Sequence, residues 1–306
     1  MEKFKRLIRK IITHKRNDKI LMVMKGLTMG CIIFITSVLA YALFFEDDTT
    51  SNSSSSSEWP SSYEEDYEDA FSESGSGEEC NVAGITIHGD IYTYNNSFDS
   101  QNLDVVSSED ISYQLEYAQD KENIELIILE IDTYGGIPVA AEEIGHTLQR
   151  YVEKPVIALI RSAGLSAGYW VASASDVIFA SALSDVGSIG VTQSYLDNSL
   201  YNQREGHIYN SLSTGKFKDI GDPNKALTFE EKALIQRDLN IINNIFIKTV
   251  ARNREISESK VRALADGSSL LGEAALKAGL IDKIGGYYDV LDYIKEEMDI
   301  EPVVCW

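Results

Sequence analysis

A near-continuous apolar run, Ile124–Ile131 (IELIILEI), constrains the fold of this chain more than any other feature. Such a run suits a strand of a parallel sheet, since helices then cover both of its faces and neither face meets water. The glycine pair Gly135 and Gly136 follows and suits a tight turn, and residues 139–152 then carry apolar side chains at helical spacing. This order predicts one strand, turn and helix unit of an α/β fold.

Similar units recur along the rest of the chain. The further predicted elements are a strand with a glycine turn at residues 82–91, strands at Pro155–Ile160 and Val177–Ala180, a short helix at Ser166–Ser173, and a helix of about 24 residues that begins at Thr228. Thr228 and Glu231 fit the capping box that starts a helix. The repetition predicts a layered α/β core.

An uncharged apolar stretch, Gly26–Phe45, predicts a membrane anchor. At ~1.5 Å per residue it would cross a hydrocarbon core of roughly 30 Å. Lysines and arginines dominate the residues before it, and Glu46, Asp47 and Asp48 follow it. The positive-inside rule therefore places the N-terminus in the cytoplasm and the rest of the chain outside. A cleaved signal peptide and a buried core helix are the alternatives.

The predicted organisation has four segments: a basic cytoplasmic segment at 1–25, the transmembrane helix at 26–45, a linker at 46–79 and an extracytoplasmic domain at 80–306. The linker is acidic and Ser-rich with almost no aliphatic residue, so we predict that it is disordered. The net charge of −21 argues against nucleic acid as a partner, because such binding depends on Lys and Arg.

Cys80 and Cys305 lie at the two ends of the predicted extracytoplasmic domain. That compartment is oxidising, but the sequence does not show whether the two ends meet. The pairing therefore stays open at this point.

Ser166, in the segment Gly164–Gly168, is the candidate nucleophile. A serine hydroxyl needs a base beside it. No histidine occurs between Ala167 and Glu205, which favours a lysine, and Lys218 is the candidate. A lysine acts as a base only when neutral, which requires shielding from water and distance from carboxylates. The alternative is that the glycine-rich segment only packs a helix tightly on the sheet.

The predicted position of Ser166 at the start of a helix suits acyl transfer. Backbone N–H groups at such a position point at developing negative charge. The candidates for an oxyanion hole are the N–H of Ala167 and that of Gly135 or Gly136.

Several motifs resemble the signal peptide peptidase A family of membrane-anchored serine proteases. In chain order they are Asp132–Gly136, the segment around Ser166, Val186–Val191 and Gly215–Asp219, and the resemblance covers roughly residues 82–294. It implies a Clp protease/crotonase-like fold of repeated β-β-α units. By matching motifs it implies that Ser166 is the nucleophile, that Lys218 is the general base, and that Ser188 hydrogen-bonds and orients the lysine.

The resemblance also implies a cell-membrane protein that forms a homo-oligomeric ring, in which neighbouring subunits supply the serine and the lysine of one site. The implied substrates are peptides, above all remnant signal peptides in the membrane, with misfolded exported proteins as further candidates. We predict no cofactor and no metal, since histidines are scattered along the chain and a Ser-Lys mechanism needs no metal.

The chain departs from the family pattern before the glycine pair, where Thr133 and Tyr134 replace serine and proline, and at Ala167, which replaces a glycine. Lys216 competes with Lys218 for the role of the base. Three other functions remain as alternatives: a catalytically inactive, membrane-tethered scaffold that forms rings, a crotonase-type acyl-transfer enzyme, and a hydrolase with a Ser-His-Asp triad.

Overall fold

The computed structural model describes residues 80–94 and 104–306. The basic segment at 1–25, the predicted anchor at 26–45 and the linker at 46–79 lie outside the described residues. Among the helices of the described part, none has the length and apolar character needed to cross a bilayer.

The described residues form ten strands and eight helices, numbered here in chain order. The strands are β1 (Val82–His88), β2 (Asp90–Tyr92), β3 (Val105–Ser107), β4 (Leu126–Thr133), β5 (Val156–Leu165), β6 (Val177–Ala180), β7 (Asp185–Gly187), β8 (Ser269–Leu271), β9 (Lys283–Ile284) and β10 (Val304–Cys305). The helices are α1 (Ser108–Asp120), α2 (Pro138–Arg150), α3 (Ala167–Ser173), α4 (Ser199–Arg204), α5 (Phe229–Arg254), α6 (Glu258–Leu264), α7 (Gly272–Ala278) and α8 (Tyr287–Met298). The mixed α/β class is as predicted.

The main sheet has the strand order β10-β1-β4-β5-β6-β9, and all of these pairs are parallel. At the end of β5, β7 pairs with it in parallel, and β8 joins β7 antiparallel. A second, two-stranded sheet consists of β2 and β3. Residues 126–131 of the apolar run lie in β4, which starts two residues later than the run and continues to Thr133. This strand is at the centre of the main sheet, which is why both of its faces are apolar.

Side chains of β4 alternate between two cores. Leu126 and Ile128 face a cluster with α8 that includes Val290 and Ile294. Ile127 and the next alternate residues face the larger cluster, which α1, α2, α3 and α5 complete. The two-residue period of a strand thus divides one apolar run between the two helical layers.

The strand predicted at Pro155–Ile160 extends to Leu165 in the structure. Arg161 and Ser162 are exposed, so the apolar signal ends at Ile160 although the strand does not. The strand changes partner there: Ile160 pairs with Ala180 of β6, whereas residues 163–165 pair with β7. Because β5 extends to Leu165, the candidate nucleophile Ser166 lies next to the end of β7.

The disulfide left open by the sequence is present: Cys80 and Cys305 are bonded, with their Cα atoms 5.9 Å apart. Strand pairing brings the two ends together, because Val82 of β1 pairs in parallel with Val304 of β10. The Asn81 side chain adds two hydrogen bonds, to the carbonyl of Glu301 and from the N–H of Val303. The first and last strands of the domain are therefore neighbours.

We predict that Cys305→Ser lowers the free energy of unfolding by about 2–5 kcal/mol, because the bridge closes a very long loop of the unfolded chain. Denaturant titration of the full chain and of the variant would measure the difference. With a reductant present the two unfolding curves should coincide. If a reductant leaves the midpoint of the unaltered chain unchanged, the bridge contributes no stability.

Candidate active site

Ser166 occupies the sharp turn between β5 and α3, with φ 51° and ψ −118°. A non-glycine residue with positive φ costs free energy and persists only where its surroundings hold it. Here the N–H of Ser166 donates to the carbonyl of Gly187 at 2.8 Å, and its carbonyl accepts from the N–H of Trp170 at 3.0 Å. The turn presents a half-buried hydroxyl at the end of the sheet, as a nucleophile requires.

The helix after Ser166 is anchored by two aromatic side chains. The hydroxyl of Tyr169, a fully buried residue, donates to the carbonyl of Leu280 at 2.8 Å. Burial, only partly offset by the nearby Arg254 guanidinium, raises the pKa of Tyr169 well above its usual range, so the hydroxyl stays a donor. Trp170 stacks on Phe246 of α5, with ring centroids 4.7 Å apart. These contacts fix α3 and thereby the turn that holds Ser166.

The glycine turn after β4 lies directly against Ser166. Gly135 has φ 133°, and a Cβ there would lie 2.8 Å from Cβ and 3.2 Å from Oγ of Ser166. A Cβ at Gly168 would run into Cγ2 of Thr133, so the helix and the β4 turn also approach closely on this side. At both positions a neighbouring side chain leaves little or no room for a Cβ, which favours glycine.

The structure distinguishes between Gly135 and Gly136, which the sequence left as alternative oxyanion donors. The N–H of Gly135 donates to Oγ1 of Thr133 at 3.0 Å and is therefore occupied. Among the described residues the N–H of Gly136 donates to no protein acceptor, and Gly136 lines the cleft with Ser166. Ala167 is the first residue of α3, so its N–H has no acceptor within the helix. The geometry thus favours Gly136 and Ala167 as the pair of donors.

Ser166 opens into a cleft of about 620 Å³. Its polar residues include Ser166, Ser188 and Asn243. Its apolar walls come from Pro138, Trp170, Val191, Phe246 and Ala265. Such a cleft can receive a peptide segment with an apolar side chain next to the serine hydroxyl.

Ser188 lies beside Ser166 because their preceding residues are paired across β5 and β7, Leu165 with Gly187. The hydroxyl of Ser188 donates to the carbonyl of Gly267 at 2.9 Å, and its φ is 48°. A hydroxyl that donates one hydrogen bond can still accept another. Its oxygen can therefore receive a hydrogen bond from an amine that enters the cleft.

Lys218 does not line the cleft that contains Ser166. It lies in an exposed, turn-rich segment before α5, and its N–H donates to the carbonyl of Gly215 at 3.1 Å. The structure of one chain therefore brings Ser166 and Ser188 together, but not Lys218. The sequence-based assignment of Lys218 as the base stays a prediction that requires a second subunit.

The two candidate lysines differ in their charged neighbours. The Lys216 amine pairs with the carboxylate of Glu230 and lies 5.2 Å from the ring centroid of Phe217. Within residues 80–94 and 104–306, no carboxylate lies within 4.0 Å of the Lys218 amine. Because a carboxylate partner favours the protonated amine, the contacts favour Lys218 over Lys216 as a base.

None of the described histidines lines the cleft. His88 lies 3.2 Å from Glu130 and borders a separate cleft of about 620 Å³, while His146 and His207 are exposed. In the part of the chain that the structure describes, no cluster of three or more His, Cys, Asp or Glu side chains is placed to hold a metal ion.

The sequence did not assign roles to Gly187 and Gly267, whose carbonyls hold Ser166 and Ser188, or to Asn243 and Phe246 in the cleft. Gly187 lies in Val186–Val191, one of the motifs that carry the resemblance, and this was the available signal for it. Asn243 and Phe246 of α5 gave no such signal, since their position at the cleft depends on how the helix packs.

We predict that Gly135→Ala lowers the implied peptidase activity about 100-fold, because the new Cβ would displace the Ser166 side chain. Gly206→Ala is the matched control: Gly206 also has positive φ (77°), but a Cβ there would meet nothing within 4 Å. Both variants carry backbone strain of about 1–2 kcal/mol, visible by thermal unfolding, whereas only Gly135→Ala should lose activity. Equal activity of the two variants would contradict the placement of the glycine turn.

Comparison with known proteins agrees with the motif pattern. Residues 149–301 match the model of Peptidase family S49. A putative protease of Methanocaldococcus jannaschii is 29% identical over 229 residues, 72% of this chain and 74% of that protein. A putative signal peptide peptidase SppA of Enterococcus faecium is 30% identical over 186 residues, 60% of this chain and 54% of that protein.

Among solved structures, a ClpP1 mutant from Listeria monocytogenes aligns with a TM-score of 0.44 and 14% identity, over 67% of this chain and 92% of that chain. The family match covers half of the chain, within which Ser166, Ser188 and Lys218 all lie. The chain belongs to peptidase family S49 and is a serine protease of the signal peptide peptidase A family.

Proposed function

We propose that this protease uses Ser166 as nucleophile and Lys218 as general base, with the two residues supplied by neighbouring subunits of a homo-oligomeric ring. The observation that carries the proposal is the strained turn at Ser166 (φ 51°), which places its hydroxyl in the cleft beside the N–H groups of Gly136 and Ala167. A residue that serves only packing gives no reason for such strain.

The proposed reaction begins when the neutral Lys218 amine accepts the proton of the Ser166 hydroxyl as Oγ attacks the carbonyl carbon of the peptide. The C–O bond forms, and the negative charge on the carbonyl oxygen is stabilised by the N–H groups of Gly136 and Ala167. The Lys218 ammonium then donates its proton to the leaving amine as the C–N bond breaks. Water hydrolyses the acyl ester in the same way, and Lys218 again serves as base.

Ser188 suits the role of the residue that orients the base. Its hydroxyl hydrogen is committed to the carbonyl of Gly267, so its oxygen is left to accept a hydrogen bond from the lysine amine. That bond would direct the lone pair of the Lys218 amine towards Ser166, since both serines line one cleft.

Exposed apolar side chains support the proposed ring. The segment before α5 carries Leu196 (72% exposed), Ile208 (83%) and Leu212 (100%), next to the exposed Leu200 of α4. Several large, strongly exposed apolar side chains on one segment are typical of a surface that a partner covers. A neighbouring subunit that covers it would also receive Lys218, which lies in the same segment.

We further propose that the protease domain lies outside the cytoplasm, anchored by residues 26–45. The Cys80–Cys305 disulfide supports this side of the membrane, because such bonds persist in oxidising compartments. The proposed substrates are remnant signal peptides, with misfolded exported proteins as further candidates. The apolar walls around Ser166, which include Val191 and Phe246, support apolar residues next to the scissile bond.

We predict that Ser166→Ala and Lys218→Ala each reduce peptide cleavage by at least about 1,000-fold, while size-exclusion chromatography shows an unchanged assembly. The assay uses the full chain in detergent and a fluorogenic peptide with an apolar residue before the scissile bond. Lys216→Ala is the matched control and should keep its activity. Normal turnover by either of the first two variants would refute the dyad.

A mixed assembly tests whether subunits share a site. Co-expression of Ser166→Ala with Lys218→Ala should restore part of the activity, because some sites then receive an intact serine from one subunit and an intact lysine from another. Absence of any recovery in a mixed assembly would place both residues of a site in one chain.

The pH dependence distinguishes the base. Activity should rise with pH as a lysine loses its proton, since only the neutral amine can accept the serine proton. A profile that depends only on a group titrating near pH ~6.5 would indicate a histidine instead.

A further inference from the structure

The residues that carry Lys218 form a series of tight turns before α5. The N–H groups of Lys218, Ile220 and Asp222 each donate to a carbonyl three residues earlier, at 3.1–3.2 Å. Such turns fix the local shape of the segment, but they do not fix its orientation relative to the rest of the protein. Side-chain contacts to a regular element are needed for that.

Lys225 makes this connection. Its amine lies 3.1 Å from Oδ1 of Asp219, the residue after the proposed base, and 2.5 Å from Oε1 of Glu231 in the first turn of α5. The exposed fractions of the three side chains are 23%, 18% and 3%, respectively. The cluster is therefore shielded, unlike the exposed pair of Lys216 and Glu230 nearby.

Glu231 joins this cluster firmly to the helix. Its second carboxylate oxygen accepts from the N–H of Thr228 at 2.8 Å, and its own N–H donates to Oγ1 of Thr228 at 3.2 Å, which completes the capping box. The same helix reaches the cleft at Phe246, which stacks on Trp170 of α3. Lys225 thus links the segment that carries Lys218 to a helix that packs against the Ser166 turn.

The pairing also controls the charge next to the proposed base. Asp219 follows Lys218 directly, and a free carboxylate at that distance would favour the protonated lysine. The hydrogen bond from Ser211, followed by that from Lys225, holds the pKa of Asp219 below its usual range, so its carboxylate stays charged and engaged. The other titratable groups that face this carboxylate are Asp222 and Tyr209, which hydrogen-bond each other at 3.0 Å.

We propose that Lys225 is a positioning residue for Lys218: by bridging Asp219 and Glu231 it orients the segment that carries the base and keeps the neighbouring carboxylate away from the Lys218 amine. This inference rests on the proposed role of Lys218 as general base.

Lys225→Met in the full chain tests the inference. We expect kcat for the fluorogenic peptide to fall about 10- to 100-fold with KM changed less than about twofold, because a displaced base affects the chemical step and not peptide binding. We also expect the rise of kcat with pH to move to higher pH by about one unit, since a released Asp219 stabilises the ammonium form. Lys225→Arg, which keeps the charge, should keep the rise near its original pH.

Two further variants and one control separate an effect on the position of the base from an effect on stability. Asp219→Asn leaves the Lys225–Glu231 pair and the helix cap in place, and it should lower kcat without moving the pH profile upward. In the double variant Lys225→Met with Asp219→Asn, the pH profile should return to its original position, because no carboxylate remains beside Lys218. Lys216→Met, which breaks the exposed pair of the same segment, should leave both readouts unchanged.

Unchanged kcat and pH profile in Lys225→Met would overturn the inference. If that variant does not fold, Asp219→Asn decides: an unchanged kcat overturns the positioning role, and a lowered kcat supports it. The proposed function is tested separately by Lys218→Ala. An active Lys218→Ala refutes the dyad, whereas an inactive Lys218→Ala beside a fully active Lys225→Met refutes only the role of Lys225.

Discussion

The hydrogen bond from the Ser166 N–H to the Gly187 carbonyl is the interaction on which the site depends. It continues the parallel pairing of β5 with β7 by one residue past the last strand pair, Leu165 with Gly187. The pairing holds Ser166 at a positive φ that the residue would not adopt by itself. The strand pairing thus offsets the free-energy cost of the strained backbone at the candidate nucleophile.

Close backbone approach completes the site around that turn. Gly135 leaves room for the Ser166 side chain, and the Gly135 N–H donates a hydrogen bond to the hydroxyl oxygen of Thr133. Gly136 lines the cleft without a protein acceptor for its N–H among the described residues, and Ala167 is the second proposed donor. Both groups are backbone N–H groups, one in the turn after β4 and one at the start of α3, so the proposed mechanism needs no side-chain rearrangement when negative charge develops.

The proposed base lies in a region of different character. Ser166 belongs to the densely packed body, whereas Lys218 lies on an exposed segment with unpartnered apolar side chains such as Leu212. In the proposed ring, assembly brings the two together, so that an isolated subunit would hold a nucleophile without its base. The ionic cluster around Lys225 then presents the lysine in a fixed orientation before any neighbour arrives.

The sequence by itself determined the elements with strong local signals. The apolar run became β4, residues 177–180 became β6 as predicted, and the Thr228 capping box starts α5. These predictions succeed because the periodicity of apolar residues and the helix caps depend on residues close together in the chain. The glycine pair was likewise recognisable, since its positive φ angles favour glycine, whereas Ser166 has a positive φ that a serine disfavours.

Only the tertiary structure decided features that depend on distant partners. The extension of β5 to Leu165 follows from β7, and the Cys80–Cys305 bond follows from the pairing of β1 with β10. The preference for Gly136 over Gly135 as the proposed donor follows from the Thr133 hydroxyl, which accepts from the Gly135 N–H. In each case the sequence contains the residues, but the free energy that selects one arrangement comes from contacts between segments that meet only in the folded chain.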